Sequence, residues 1–299
     1  MSPQELLAAY GKADAILNQD LEVTAEMIAH CSDHCTAICE YGVGVDNIDH
    51  AAASKVNIQI LNTPGYSPQT IAMHALGLLL ACSRFVVSTD RLIRQGEYPD
   101  LTQNLPVGVE GKTLGSFGLG EIARNLFRLT TGFRFARRMA VDPYVEPALA
   151  KAAGVELVDF ETLPEESDFL SIHAPHIPGE TPKVFDADAF VKMKRTAILV
   201  NAARADLVDT VALVAALEHG EIAGAGLDVY DEEPLPGDHP LCSLDNVALT
   251  NHSGWHAEDS YQSIRQMASN AAVGACLGKL PRSITNMAVL QNLGRLDEF

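Results

Sequence analysis

From residue 111 onward, short apolar runs alternate with stretches of helical spacing, and this alternation constrains the fold more than any other feature. The runs 113–117, 139–141, 155–158, 169–173, 197–201, 224–229 and 247–250 are predicted strands. Between them, 121–130, 187–194 and 208–219 are predicted helices; Ile122, Leu126 and Leu129 share one face of the first. Strands and helices taken in turn imply a parallel sheet with helices on both faces.

Composition sets the outer bounds. A chain of 299 residues is long enough for two domains and a sizeable core. The net charge of −18 disfavours a broad nucleic-acid or anionic-membrane surface. A small anionic substrate stays open, since it needs only one local cation. No basic segment followed by a long apolar core opens the chain, and the most apolar stretch, 71–87, is interrupted by His74 and Arg84. That stretch is expected to be a buried helix rather than a membrane span. Six cysteines, at 31, 35, 39, 82, 242 and 276, are expected as reduced thiols in a cytoplasmic protein.

Residues before 90 form a smaller unit. Strands are predicted at 13–17, 36–39 and 58–61, with a helix at 24–30. Residues 45–49 make a turn into a short helix, and a long helix follows over 67–84, with Pro68 where a helix N-terminus tolerates it. A second long helix, 259–277, is expected to bring the chain back to the first unit. The domains are accordingly placed at 1–86 with 270–299, and at 87–269.

Gly118-Leu119-Gly120-Glu121-Ile122-Ala123 fits G-x-G-x-x-G/A after a predicted strand and at the start of a predicted helix. Glycines there let the backbone turn tightly and approach a pyrophosphate, and the helix N-terminus offers free N–H groups. Asp142, after the next strand, is placed to accept hydrogen bonds from a ribose diol and would repel a 2′-phosphate. The cofactor expected is NAD, on a doubly wound parallel α/β sheet of the Rossmann kind.

Three polar residues follow three later strands: Arg204 after 197–201, Glu233 after 224–229 and His252 after 247–250. In a parallel sheet they share the carboxyl edge, where open α/β sheets bind ligands. Each alone has a bland reading, as a surface charge, a loop carboxylate or a capping imidazole. Together they bring a cation, a carboxylate and an imidazole to one ligand-binding edge, where a guanidinium can stabilise developing negative charge and an imidazole can exchange a proton. A neighbouring carboxylate favours the imidazolium.

Longer strings carry a resemblance. Tyr41-Gly-Val-Gly-Val-Asp-Asn-Ile-Asp49, Gly111-Lys-Thr-Leu-Gly-Ser-Phe-Gly-Leu-Gly120, Val200-Asn-Ala-Ala-Arg204, Gly226-Leu-Asp-Val229 with Glu232-Glu-Pro234, and Leu249-Thr-Asn-His252 stand in the order found in the D-isomer-specific 2-hydroxyacid dehydrogenases. The chain resembles that family from about residue 13 to its end. The resemblance implies a Rossmann domain with a second, smaller flavodoxin-like α/β domain, here shortened at its N-terminus, and a homodimer. It implies that Arg204 grips the substrate carboxylate, that His252 exchanges the proton and that Glu233 holds the imidazole. Val43 and Gly44 are implied as substrate-loop residues. Gly118, Gly120, Glu121, Ile122, Asp142, Pro175, Ala202, Ala203, Asp228 and Gly254 are implied as cofactor contacts, with Asp228 toward the nicotinamide.

Departures from the family pattern bear on substrate. Members acting on 3-phosphoglycerate carry arginines where Asn18 and Glu40 stand, so a small unphosphorylated 2-oxo acid is expected, with 3-phosphoglycerate as the alternative. Glu121 stands in place of a frequent arginine, Met73 of a glutamate, and Ala123 and Ala205 of glycines. Trp255 follows the histidine string, as in members resembling NAD-dependent corepressors. A second reading is therefore an NAD-sensing regulatory or corepressor-like binding protein with little turnover. His30, Cys31, His34, Cys35 and Cys39 are zinc-ligand types, but a segment covering helix end, loop and strand start cannot present them all on one face. Buried or surface thiols are expected there, and no metal.

Overall fold

The computed structural model describes residues 2–19, 21–98, 105–175 and 183–298. The chain forms two compact units, 1–67 with 257–299, and 68–256. These limits differ from the expected 86/87 and 269/270, and the packing explains why. Helix 68–83 buries Leu78, Leu79 and Cys82 among Leu114, Phe169, Ile198 and Val200, so it belongs with the larger sheet. The last long helix buries Ala272 and Ala275 beside Ala37, Cys39 and Leu61 of the smaller one.

The first unit begins with α1 (Pro3–Tyr10), started by a capping box between Ser2 and Glu5 and by a proline in its first turn. Three parallel strands follow, β1 (Ala15–Asn18), β2 (Ala37–Glu40) and β3 (Gln59–Leu61), in the order β1-β2-β3. Two short helices connect them: α2 (Ala25–Ala29), capped by Thr24, and α3 (His50–Lys55), capped by Asp49. The middle strand is buried along its whole length, as a strand covered on both faces must be. Its register sets Asn18 opposite Glu40 at the carboxyl end of the sheet.

The second unit opens with α4 (Pro68–Ser83) and α5 (Val86–Arg94), separated where Phe85 takes a φ of 54°. Its seven strands are β4 (Thr113–Phe117), β5 (Arg137–Val141), β6 (Glu156–Leu157), β7 (Phe169–Ile172), β8 (Ile198–Asn201), β9 (Gly224–Leu227) and β10 (Val247–Leu249). The helices among them are α6 (Glu121–Leu129), α7 (Pro147–Ala153), α8 (Thr162–Glu166), α9 (Ala187–Lys192) and α10 (Thr210–Glu218). All strands are parallel, in the order β10-β9-β8-β7-β4-β5-β6. The order reverses between β4 and β7, and such a switch point leaves a crevice beyond the strand ends. Two apolar clusters, one around Leu170, Phe185, Phe190 and Leu199 and the other around Leu114, Phe127 and Phe169, hold the helices to the sheet.

The chain then returns to the first unit as α11 (Glu258–Cys276) and α12 (Ala288–Asn292). Each predicted strand of the sequence pattern is present within a few residues of its expected limits. Helices α1, α5, α7, α8 and α12 had no expectation. They bury at most two residues each, too few to impose a readable period. Among the described residues, no single helix is long and apolar enough to cross a membrane.

Candidate active site

At the switch point, β4 runs into Gly118, Leu119 and Gly120, and α6 starts at Glu121. Gly118 has a φ of +93°, and a Cβ on it would come within 2.8 Å of the Ala174 nitrogen on the neighbouring strand end. Only glycine meets both conditions. Gly120 is the N-cap of α6, no side chain caps it, and a Cβ there would meet nothing within 4 Å. The start of α6 therefore carries no capping side chain and has room at Gly120, as an anionic pyrophosphate requires. Asp142 directly follows β5 and accepts from the Leu119 N–H at 2.8 Å through Oδ2. Its Oδ1 accepts from the amides of Tyr144 and Val145. One carboxylate thus joins the glycine loop to the turn after β5. Glu121 is exposed and Ile122 half-buried at the helix start, and Pro175 is exposed beyond β7.

Strand β8 delivers Arg204. The Asn201 side chain accepts from the Ala203 N–H at 3.0 Å and donates to the Arg204 carbonyl at 2.8 Å, folding Ala202 and Ala203 into a fixed turn. The guanidinium donates to the Ala203 carbonyl at 2.8 Å and is half-buried. Sequence reasoning passed over Asn201, although an amide at a buried strand end signals a turn to be tied.

Strands β9 and β10 deliver the other two groups. Glu233 Oε2 lies 2.8 Å from His252 Nδ1, and Glu233 Oε1 accepts from the Tyr230 N–H at 3.0 Å. The carboxylate accepts a hydrogen bond from the Nδ1–H, which leaves Nε2 to exchange a proton with a substrate oxygen. The Glu233 hydrogen bond and charge raise the pKa of His252 above its ordinary value, against burial and the Arg204 charge. Burial works to raise the Glu233 carboxyl, but hydrogen bonds from His252 and Tyr230 outweigh it and hold it below the usual range. His252 takes a φ of 54°, a conformation that costs a side chain about 1–2 kcal/mol. Its N–H donates to the Asp228 carbonyl at 2.8 Å, which helps to hold it there. Tyr230 was also missed: its hydroxyl lies 3.0 Å from the Leu227 carbonyl and 2.7 Å from that of Thr250, bracing the two strand ends.

Asp228 is 2% exposed, and both its oxygens are engaged by the chain itself. Oδ1 accepts from the Thr250 hydroxyl at 2.6 Å and from the Ser253 N–H at 2.9 Å; Oδ2 accepts from the Gly254 N–H at 2.8 Å. Burial raises this carboxyl, and hydrogen bonds from His74, Thr250, Ser253 and Gly254 more than compensate, holding it low. Asp228 and Gly254, both expected at the cofactor, therefore also fasten the loop that carries His252.

In the first unit, Val43 and Gly44 follow β2. The Val43 carbonyl accepts from the Asn62 amide at 2.8 Å, and the Gly42 carbonyl from the Thr63 N–H at 2.9 Å. Glu40 is 2% exposed; its Oε2 accepts from the Asn18 amide at 2.6 Å and the Asn47 amide at 3.3 Å. Cys35 and Cys39 are buried and Cys31 half-buried. Among the described residues, no three histidine, cysteine or acidic side chains are gathered as a metal site.

Residues 76–254 match the D-isomer specific 2-hydroxyacid dehydrogenase, NAD binding domain, which is more than half of the chain. The chain belongs to the D-isomer specific 2-hydroxyacid dehydrogenase family. It is 38% identical to the glyoxylate reductase of Korarchaeum cryptofilum over 85% of this dehydrogenase and 77% of that enzyme. It is 34% identical to the D-3-phosphoglycerate dehydrogenase of Archaeoglobus fulgidus over 97% of its length, but spans only 55% of that longer protein. The D-lactate dehydrogenase structure from Escherichia coli superposes with a TM-score of 0.83 at 27% identity, covering 95% of this dehydrogenase and 89% of that chain. NAD is the cofactor of the matched domain, and the uncapped helix start at Gly120 with Asp142 beside the loop fits it. When bound, NAD supplies or accepts the hydride; the residues of the dehydrogenase bind, orient and move the proton. The family membership favours this oxidoreductase over the binding-protein alternative.

Proposed function

We propose that this dehydrogenase uses NADH to reduce a small, unphosphorylated 2-oxo acid, such as glyoxylate, hydroxypyruvate or pyruvate, to the D-2-hydroxy acid. The observation that carries the reading is the His252–Glu233 pair at 2.8 Å, with the Arg204 charge near enough to act on the same imidazole. Arg204 would hold the substrate carboxylate and stabilise the oxygen that gains charge. His252 would donate the proton from Nε2, and Glu233 would keep the imidazole oriented and basic. Val43 and Gly44 would meet the substrate carboxylate.

The choice of an unphosphorylated substrate rests on Glu40. A buried carboxylate held by two amides at the end of β2 offers a phosphate dianion repulsion where it would need a cation. We place the enzyme in the cytoplasm as a homodimer. Exposed Val86, Val87 and Ile93 on α5 give a second copy an apolar surface to cover.

The test is loss of NADH absorbance against glyoxylate, hydroxypyruvate, pyruvate and phosphohydroxypyruvate, with His252→Ala as the paired variant. Turnover with one of the first three, abolished in the variant while NADH still binds, is the expected outcome. A strong preference for phosphohydroxypyruvate overturns the substrate reading, and normal turnover by His252→Ala overturns the role of His252.

A further inference from the structure

The packing of α4 on β9 follows a ladder. A Cβ on Gly224 would meet the Cys82 Cβ at 3.9 Å, and one on Gly226 would meet the Leu78 Cβ at 2.7 Å. The next rung pairs Asp228 with His74, whose Nε2 lies 3.3 Å from Asp228 Oδ1. The residues step by four along the helix and by two along the strand. Four helical residues rise about 6.0 Å and two strand residues about 6.6 Å, so the two repeats stay in register. The absence of a side chain at Gly226 lets the helix settle closely on the strand, and the last rung brings an imidazole to a buried carboxylate.

The direction of the hydrogen bonds there is fixed by chemistry. His74 Nε2 is 2.9 Å from Thr250 Oγ1, which is 2.6 Å from Asp228 Oδ1. The ionised carboxylate only accepts, and the hydroxyl has one hydrogen to give it. Thr250 must therefore accept from His74, and Nε2 carries a proton. The chain runs from His74 N–H to the Thr250 hydroxyl to the Asp228 carboxylate, and from there to the amides of Ser253 and Gly254 on either oxygen. Those two residues directly follow His252. A Cβ on Gly254 would stand 2.9 Å from Asp228 Oδ2 and 3.3 Å from the His74 ring, so the loop closes over both side chains.

We propose that His74 is a positioning residue for the reaction, acting through Thr250 and Asp228 to set where the strained loop holds the His252 imidazole. Nothing in the spacing of 67–84 singles out His74, which interrupts the apolar pattern of a helix with one buried face. Its side chain is exchanged for no surface role: it faces the strand rung occupied by a carboxylate. The proposal rests on the assignment of His252 as the proton-exchanging group.

The test uses His74→Leu, His74→Gln and Thr250→Val, with the double variant His74→Leu/Thr250→Val, in the full-length chain. Glutamine can place a donor where Nε2 stands, and leucine cannot. In His74→Leu, kcat is expected to fall between about tenfold and a hundredfold, as for a reacting group displaced by a fraction of its contact distance. NADH affinity should stay within about twofold of the parent, as expected if uniform binding is untouched. His74→Gln should recover most of kcat. The double variant should lose less than the product of the two single losses, because His74 and Thr250 act on the same Asp228 carboxylate and on each other. Unchanged kcat in His74→Leu overturns the proposal. So does a glutamine variant as slow as the leucine one, which assigns His74 to packing alone, or losses that multiply in the double variant. If His252→Ala turns over normally, the underlying reading fails instead; if it is inactive while His74→Leu is normal, only this proposal fails.

Discussion

Glu233 Oε2 and His252 Nδ1 lie 2.8 Å apart, nineteen positions distant in the chain and on loops that leave neighbouring strands. The contact raises the pKa of His252 and outweighs the effect of burial on Glu233. Both groups are substantially open to solvent, so the pair matters through orientation and proton affinity rather than through a large share of stability.

The sign of the pH effect follows. In the reductive direction His252 must carry a proton, so activity is lost as pH rises through its folded pKa, which lies above the ordinary value. Glu233→Gln should move that alkaline limb of kcat/KM to lower pH, and an unmoved limb would separate the pair from catalysis. In folding, the raised His252 pKa adds stability below its unfolded value, and this is lost as pH rises through the folded one. The lowered Glu233 pKa adds stability above its own unfolded value, and this is lost as pH falls.

Arg204→Lys is expected to reduce kcat/KM by about 10²–10³, the loss typical of one preorganised charge donor. A lysine keeps the charge but not the planar fork that suits a carboxylate. Steady-state kinetics with the preferred 2-oxo acid reads this directly, and a loss below about threefold would be too small for a group bearing on the transition state.

Asp142→Ala should weaken NADH binding by about tenfold and narrow the preference over NADPH, since an acid after β5 both receives a ribose and repels a 2′-phosphate. The same change releases the Leu119 N–H from its 2.8 Å bond and so loosens the glycine loop. Titration of both cofactors by fluorescence measures the two effects. Equal affinities in the parent enzyme would remove Asp142 from cofactor choice.

Gly226→Ala is expected to destabilise the protein by about 1–3 kcal/mol, because the added methyl overpacks the helix–strand contact. Its Cβ would fall 2.7 Å from the Leu78 Cβ, and neither atom lies at the end of a flexible side chain. Gly237→Ala, whose Cβ would meet nothing within 4 Å, is the control. Denaturant midpoints compare them, and matching midpoints would show that α4 gives way freely.

Much of the second unit was legible because its central strands are buried on both faces and appear as short, mostly apolar runs, such as 197–201. The glycine motif was legible because a left-handed φ and a crowded Cβ position at Gly118 leave little choice of residue there. Other parts were silent. Helix α7 buries only Ala150, and Tyr230 and Asn201 work through backbone carbonyls and amides that have no sequence signature. The limits of the two units were misplaced because a long apolar helix looks the same whichever sheet it packs on.

The sequence by itself determined a parallel α/β sheet, a dinucleotide loop and three polar groups along one edge, since period, glycine geometry and strand polarity are local properties. Only the tertiary structure decided which oxygen of Glu233 meets which nitrogen of His252, and that Asp228 is held by Thr250 and two loop amides beside His74. Those contacts join residues as far apart as 74 and 250, and they depend on how closely α4 settles on β9. That closeness depends on the missing side chain at Gly226, and becomes visible only once helix and strand are packed together.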